Sequence, residues 1–233
     1  MMPEPTPLRW PVPIRAVALD MDGLMVNTED LYSIVGQTLL QRRGKQFTAE
    51  LKTRMMGLPG PEAYGEMIRY SGITATAEQL ADEADQIFAR LLEERLEPMP
   101  GLEQFLALLE ALQLPKAVAT SSSRVFAENV LQGIAVADRL RFILTAEDVA
   151  RGKPHPDIYV EAARRFGVTP PELLVLEDSY NGTQAAVQAG TLTVAVPSRH
   201  SRNHDFSQVH FVAQSLADPQ LHFLVKHWSQ ATA

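Results

Sequence analysis

The chain has 233 residues, a length that fits one large domain or one domain with a modest insertion. Apolar residues make up 45% of the chain and charged residues 21%, so the composition predicts a globular fold with a sizeable core. The net charge of −7 argues against a nucleic-acid-binding protein, which needs a basic face, and the lack of cysteine excludes disulfides, thiolate zinc sites and cysteine nucleophiles.

The first residues predict an extended lead-in and not a targeting segment. Residues 1–13 contain several prolines and lack the charged start and apolar core of a secretory signal. The longest apolar stretches are strand-sized, far short of the roughly 20 residues that a membrane-spanning helix needs. We therefore expect a disordered tail over 1–13 and a soluble, cytoplasmic protein without a membrane partner, either a monomer or a weak dimer.

Beyond this tail, short apolar runs alternate with helical patterns. Strands of a parallel sheet are buried on both faces and read as continuous apolar runs, with helices in the connections. The alternation predicts an α/β fold, with a doubly wound, Rossmann-like parallel sheet. The predicted strands are Ile14–Leu19, Lys116–Ala119, Phe142–Thr145, Leu173–Leu176 and Leu192–Val196. The predicted helices among them are Leu102–Leu112, Val125–Leu131, Asp157–Phe166 and Ser179–Ala189.

A segment from about 30 to 95 departs from this alternation and contains helical patterns without a convincing strand. These helices are predicted at Leu31–Arg43, Ala49–Met55, Glu62–Tyr70 and Glu78–Leu96, with a glycine- and proline-rich turn at Gly57–Pro61. We expect residues 14–29 and 96–233 to form the catalytic core. Residues 30–95 would form a helical cap, inserted after the first strand as a lid over the carboxyl edge of the sheet.

Polar side chains cluster where the predicted strands end, and in one loop between a strand and a helix. In doubly wound sheets, ligands bind outside the carboxyl ends of the strands, so these side chains are expected at one site. Several carboxylates can share a site with a lysine and hydroxyls when a divalent cation and an anionic group bind there together. Phosphoryl transfer needs these components. The residues concerned are Asp20, Asp22, Thr120, Ser121, Lys153, Glu177 and Asp178.

The motifs that contain these residues also resemble a known family. They are Asp20-Met21-Asp22-Gly23, Thr120 after a strand, Lys153-Pro154-His155-Pro156-Asp157, and Glu177-Asp178-Ser179 followed by Gly182, Ala185-Ala186 and Ala189-Gly190. In order and rough spacing they are similar to the motifs of the haloacid-dehalogenase-like superfamily. The resemblance covers about residues 14 to 215 and is closest to the branch of beta-phosphoglucomutase-like and phosphoglycolate-phosphatase-like hydrolases, which carries a small helical cap.

The resemblance implies a metal-dependent nucleophilic mechanism. Asp20 would be the nucleophile and a ligand of Mg²⁺. Asp22 would be the general acid and base, and its backbone carbonyl would also bind the metal ion. Asp178 would complete the metal site, with Glu177 beside it either as a ligand or as a residue that orients a ligand.

The same resemblance implies how the phosphate is held. Thr120 would hydrogen-bond the phosphate with help from the backbone of Ser121, and Lys153 would hold both the phosphate and the nucleophile. The expected activity is that of a phosphatase, a phosphoric monoester hydrolase. Its substrate would be a small phosphorylated metabolite such as a sugar phosphate or phosphoglycolate, which forms an aspartyl-phosphate on Asp20.

Other functions stay open at this point. A hexose-phosphate mutase is the main alternative, but three departures favour the phosphatase. Asn27 stands where this branch often has aspartate, Tyr32 stands where sugar phosphomutases usually have histidine, and Gly57–Pro61 lacks their arginine. A non-catalytic binding protein of the same fold is less consistent with the sequence because no core motif residue is missing. A dehalogenase, which needs no magnesium, is disfavoured by Asp22 and Asp178.

Overall fold

The computed structural model describes residues 10, 12–55, 58 and 60–230 of the chain. The chain forms two compact units. The first comprises Met1–Asn27 and Glu97–Ala233, and the second comprises Thr28–Leu96. The second unit is the helical segment between the first and second strands, for which the sequence suggested bounds of 30 and 95.

The first unit contains a six-stranded sheet in which all neighbouring strands are parallel. The prediction of a doubly wound α/β fold is therefore confirmed. The strands are β1 (Ala16–Leu19), β2 (Lys116–Ala119), β3 (Ile143–Leu144), β4 (Leu173–Glu177), β5 (Leu192–Ala195) and β6 (Phe211–Val212), in the order β3-β2-β1-β4-β5-β6. The α-helices are α1 (Thr28–Gln41), α2 (Ala49–Met55), α3 (Gly60–Ser71), α4 (Ala77–Arg95), α5 (Leu102–Ala111), α6 (Arg124–Gly133), α7 (Asp157–Phe166), α8 (Tyr180–Gln188) and α9 (Pro219–Gln230).

Strand β1 lies between β2 and β4, so both of its edges are hydrogen-bonded. Val17 is aligned with Lys116 of β2 on one side and with Leu174 of β4 on the other. All four residues of β1 are buried, as expected for a central strand covered on both faces. The strand order reverses between β1 and β4, which opens a crevice at the carboxyl ends of these two strands.

One face of the sheet packs closely against α7 and α8 because small side chains line the contact. Ala16 and Ala18 of β1 face a cluster to which both helices contribute alanines. Helices can approach a sheet closely where the side chains on both surfaces are small. Tyr159 of α7 is the large residue of this cluster, and its side chain is completely buried.

One strand and one α-helix of the first unit are not among the predicted elements. Strand β6 has only two residues, too few for a periodic pattern, and α9 lies beyond the last predicted strand. The indole Nε1 of Trp10, within the expected tail, donates a hydrogen bond to Pro171 O at 2.7 Å, and its ring packs edge-on against His210. Within the predicted tail of residues 1–13, residues 1–9 and 11 lie outside the described part of the chain.

The second unit is built from α1, α2, α3 and α4. Leucines on buried faces of α1 and α4 form much of its core, among them Leu31, Leu39 and Leu80. Thr76 caps α4 at its amino end, where its hydroxyl accepts a hydrogen bond from Gln79 N at 3.1 Å. Part of the predicted turn at 57–61 lies outside the described residues. Among the described helices of the protein, none combines the length and apolar character needed to cross a membrane.

The two segments of the first unit from which the second unit departs are hydrogen-bonded to each other. Asn27 N donates to Glu97 O at 3.2 Å, and the side chain of Asn27 accepts from Glu97 N at 2.9 Å. One residue earlier, Val26 forms an antiparallel bridge with Pro98. Met99 N donates to Met25 O at 2.8 Å. The chain therefore leaves and re-enters the first unit at neighbouring points.

At the amino end of β2, the nearly buried side chain of Lys116 pairs with Glu110 of α5 at 2.9 Å. Arg139 donates two further hydrogen bonds to the same carboxylate at 2.8 and 3.0 Å. The hydrogen bonds from Arg139 and then from Lys116 lower the pKa of Glu110 to about 2, from an ordinary value of 4.5. The ionised carboxylate thus stabilises the folded state above pH 4.5, and this contribution is lost as the pH falls from 4.5 to 2.

We expect Glu110→Gln to lower the free energy of unfolding at pH 7 by about 1 kcal/mol, a small value because the carboxylate is partly exposed and screened by solvent. Urea unfolding as a function of pH should show that the difference from the wild type shrinks progressively as the pH falls from 4.5 through 2. Glu103→Gln is the matched control, because Glu103 also pairs with Arg139 but is more exposed. A difference that is as large near pH 2 as at pH 7 would contradict this account.

Candidate active site

Asp20 lies directly after β1, at the carboxyl edge of the sheet. Its backbone N donates to Leu176 O of β4 at 3.0 Å, which extends the pairing of β1 and β4 by one residue. The chain then turns tightly, with Gly23 at φ 82° donating from its N to Val26 O at 2.9 Å. Glycine adopts this left-handed conformation without steric cost. The turn keeps Asp20 and Asp22 at the mouth of the crevice.

Lys153 lies in the loop before α7, and its ammonium group joins the ends of three adjacent strands. Its Nζ donates to Asp20 Oδ1 at 2.5 Å, to Glu177 Oε1 at 2.6 Å and to Ala119 O at 2.9 Å. An ammonium group has three protons, so these three acceptors account for all of them. The side chain of Lys153 is buried, and so are the carboxylates that it contacts.

Glu177, at the end of β4, is fully buried, and both of its carboxylate oxygens are hydrogen-bonded. Oε1 accepts from Lys153 and from the hydroxyl of Tyr159 at 2.7 Å, and Oε2 accepts from the backbone N and the hydroxyl of Ser179 at 3.2 and 3.0 Å. Gly182 makes room for it, because a Cβ there would lie 1.8 Å from Glu177 Oε1. These contacts fix the carboxylate in one position.

Burial and charge shift the proton affinities of this cluster. Burial raises the pKa of Asp20 well above its ordinary value of 3.8, Lys153 opposes this shift, and the neighbouring carboxylates of Glu177, Asp178 and Asp22 add to it. Burial by itself would lower the pKa of Lys153, but Asp20 and Glu177 outweigh it and hold that pKa well above 10.5. Lys153 therefore stays charged, and one ammonium group faces several acids.

The acids at this edge also fit a divalent cation. In the described part of the chain, oxygens of Asp20, Glu177 and Asp178 lie within 4.8 Å of one another, and all three residues are buried. Carboxylate oxygens are the ligands that hard divalent cations prefer. Buried carboxylates that raise the pKa of Asp20 indicate excess negative charge, which a cation would offset. The hydroxyl of Ser201 donates to Asp178 Oδ2 at 3.3 Å and so helps to orient that carboxylate.

Asp22 has a different environment, formed by hydroxyl groups. Its Oδ2 accepts hydrogen bonds from the hydroxyl of Thr120 at 3.2 Å and from the hydroxyl of Ser122 at 2.7 Å. The hydroxyl oxygen of Thr120 in turn accepts from Ser122 N at 3.0 Å. Ser121 lies between them in the chain and is exposed. The loop after β2 thus contacts the carboxylate of Asp22 directly.

The structure places the predicted residues at one edge of the sheet, and it adds residues that the sequence analysis missed. Ser122 stands within a serine run whose members look alike in sequence. Tyr159 is the third residue of α7, where an aromatic side chain is an ordinary core residue. Ser201 lies in the loop after β5 and carried no signal, since its contact with Asp178 spans 23 residues.

We expect Tyr159→Phe to lower the free energy of unfolding by about 2 kcal/mol, because it removes a hydrogen bond to a buried carboxylate. Burial and then Glu177 raise the pKa of Tyr159 well above 10, so its hydroxyl is a donor across the accessible pH range. Urea unfolding at pH 7 measures the effect. Tyr180→Phe, at an exposed position of α8, serves as the control and should change stability little. Equal losses in the two variants would show that the hydroxyl of Tyr159 contributes nothing specific.

Comparisons with known proteins place this site within a family. The chain is 34% identical over 209 residues to a probable pseudouridine-5'-phosphatase of Drosophila melanogaster. The aligned region covers 85% of this chain and 88% of that protein. It is 28% identical to a bifunctional riboflavin kinase/FMN phosphatase of Arabidopsis thaliana over 88% of its own length, but it spans only 54% of that longer protein.

A solved structure from Thermotoga maritima, provisionally named a beta-phosphoglucomutase, superposes with a TM-score of 0.78 at 25% identity, over 94% of this chain and 100% of that one. The haloacid dehalogenase-like hydrolase family matches residues 17–196, which include β1 except for its first residue, the strands β2 to β5 and every acid of the site. The resemblance seen in the sequence motifs is therefore confirmed. The chain belongs to the haloacid dehalogenase-like hydrolases.

Proposed function

We propose that this protein is a phosphatase that hydrolyses a small phosphate monoester through an aspartyl-phosphate on Asp20. The observation that carries the proposal is the buried contact of 2.5 Å between Lys153 Nζ and Asp20 Oδ1, at the carboxyl end of the central strand. A carboxylate held by a permanently charged lysine stays oriented and can act as a nucleophile. The family of the chain and the names of its phosphatase relatives support the same function.

In the first step, a carboxylate oxygen of Asp20 forms a bond to phosphorus while the bond from phosphorus to the ester oxygen breaks. Asp22 gives a proton to the departing oxygen, which leaves as an alcohol. The hydroxyl of Thr120 and the backbone N of Ser121 donate hydrogen bonds to the phosphoryl oxygens, and Lys153 supplies positive charge beside them. In the second step, Asp22 takes a proton from water, which attacks phosphorus and releases phosphate, and Asp20 is restored.

Magnesium is the proposed cofactor, held by the carboxylates of Asp20 and Asp178 and by the backbone carbonyl of Asp22. When bound, it supplies the positive charge that lets an anionic carboxylate approach an anionic phosphate. Glu177 was predicted among the metal ligands, but its oxygens already accept four hydrogen bonds. We assign it to holding Lys153 in place.

The substrate is proposed to be a small phosphorylated metabolite, either a sugar phosphate or a compound like phosphoglycolate. The relatives whose names include FMN phosphatase and pseudouridine-5'-phosphatase support a monoester substrate. A screen of a few dozen phosphorylated metabolites, read out as released inorganic phosphate, would identify the class. It also separates a phosphatase from a mutase, because a mutase transfers the phosphoryl group to a second hydroxyl of a sugar phosphate and does not release it.

We expect Asp20→Asn to abolish turnover, because a neutral amide cannot form the acyl phosphate. Its thermal unfolding should change little, since the amide oxygen can still accept the hydrogen bond from Lys153. Steady-state phosphate release measures activity. Mass spectrometry of acid-quenched wild-type enzyme should find a phosphoryl group on the peptide that contains Asp20.

Asp157→Asn is the matched control for that variant. Asp157 begins α7 close to the site in sequence, but its carboxylate pairs with Arg151 at the surface. This variant should keep wild-type turnover. If Asp20→Asn retained activity within tenfold of the wild type on any substrate, the assignment of the nucleophile would be wrong.

We expect activity to require magnesium and calcium to inhibit it. Magnesium favours six ligands in near-octahedral geometry, whereas calcium takes more ligands at longer distances and would displace the attacking carboxylate. Phosphate release after chelation and re-addition of each ion measures the requirement. Independently of activity, magnesium should raise the midpoint of thermal unfolding of the wild type, and this increase should be smaller in Asp178→Asn. Full activity after exhaustive chelation would refute the metal site.

A further inference from the structure

The serines that follow β2 have three different environments, although the sequence presents them as a uniform run. Ser121 is exposed. The hydroxyl of Ser123 accepts a hydrogen bond from Phe126 N at 3.4 Å, which caps α6. The hydroxyl of Ser122 instead donates to Asp22 Oδ2 at 2.7 Å, across 100 residues of sequence. Of the three, Ser122 is the serine whose hydroxyl contacts a carboxylate of the proposed chemistry.

Thr120 contacts the same oxygen, but in the proposed reaction the phosphate is a second acceptor for its hydroxyl. Its hydroxyl has a single proton, which it gives to Asp22 Oδ2 at 3.2 Å, while its oxygen accepts from Ser122 N at 3.0 Å. In the proposed reaction, Thr120 donates that proton to the phosphate. It cannot donate to both acceptors at once. When phosphate binds, Asp22 Oδ2 therefore loses the hydrogen bond from Thr120, and the shorter one from Ser122 stays in place.

The hydrogen bond from Ser122 to Asp22 Oδ2 is compatible with proton transfer at the other carboxyl oxygen. In the proposed reaction, Asp22 alternates between the carboxylic acid and the carboxylate. The hydroxyl of Ser122 can donate to Oδ2 in both states when the transferred proton is carried by the other carboxyl oxygen, Oδ1. The contact between Ser122 and Asp22 can thus persist through both steps.

We propose that Ser122 is a positioning residue for Asp22: its hydroxyl holds the Asp22 carboxyl group toward the leaving oxygen once Thr120 has turned to the phosphate. This inference rests on the proposed function. It adds a residue to the proton-transfer step that the sequence motifs did not single out, and it assigns Ser122 no direct contact with the substrate.

The test compares kcat/KM for two substrates in the presence of magnesium. One is p-nitrophenyl phosphate, whose leaving group needs little protonation, and the other is the best alkyl phosphate found by the metabolite screen. For Ser122→Ala, kcat/KM on the alkyl phosphate should fall by about tenfold to a hundredfold, because proton donation by a positioned acid contributes at least that much. On p-nitrophenyl phosphate, kcat/KM of the same variant should fall by less than about threefold. A purely structural loss of active enzyme would lower both values equally.

A second pair of variants isolates the hydroxyl. Ser122→Thr and Ser122→Val introduce side chains of nearly the same shape, and only threonine keeps a hydroxyl. The threonine variant should restore the alkyl phosphate activity, and the valine variant should behave like Ser122→Ala. Ser123→Ala is the control for stability, because it removes the cap of α6 and should lower the unfolding temperature without changing the ratio of the two kcat/KM values.

Asp22→Asn separates failure of this inference from failure of the proposed function. Suppose that Asp22→Asn loses far more activity on the alkyl phosphate than on p-nitrophenyl phosphate, but that the Ser122 variants lose equally on both substrates. The positioning role is then overturned, and the phosphatase assignment stands. If the threonine and valine variants behave alike, the positioning role is also overturned. If Asp22→Asn itself loses equally on both substrates, Asp22 is not the proton donor, and the inference fails with that part of the proposed function.

Discussion

The charge balance around Lys153 is the constraint on which the rest of the site depends. One buried ammonium group compensates Asp20 and Glu177 and uses its third proton on the carbonyl of Ala119. These acceptors follow or end β1, β4 and β2, which are adjacent in the sheet, so the lysine crosslinks the carboxyl ends of the three central strands. A surface lysine could not do this, because solvent would compete for its protons and weaken its attraction to the acids.

The two aspartates of the first motif have opposite environments, although they are two residues apart. Asp20 is buried among charges, where burial and the neighbouring carboxylates raise its pKa and Lys153 opposes that shift. Asp22 is less buried, and its Oδ2 contacts the neutral hydroxyls of Thr120 and Ser122. Carboxyl groups that are placed in such different surroundings can take different roles in one reaction.

Sequence patterns predicted the parts of this architecture that are local in the chain. The buried strands, the helical insertion and the acids at the strand ends follow from apolar runs and from motif spacing. The contacts of Ser122, Tyr159 and Ser201 could not be predicted, because each depends on tertiary packing that brings together residues far apart in the chain. Strand β6 was missed for another reason: a two-residue strand is defined by its neighbour β5 and not by its own sequence.

The paired segments at Asn27 and Glu97 have a consequence for how such a protein can diversify. The segments before and after the inserted helices, at Asn27 and Glu97, are hydrogen-bonded to each other. The helices are therefore an insertion whose two ends are adjacent. Inserts of other lengths can be accommodated at this junction without altering the register of β1 or β2. Evolution could therefore exchange the whole insertion while the strands that end next to Asp20 and Thr120 keep their pairing.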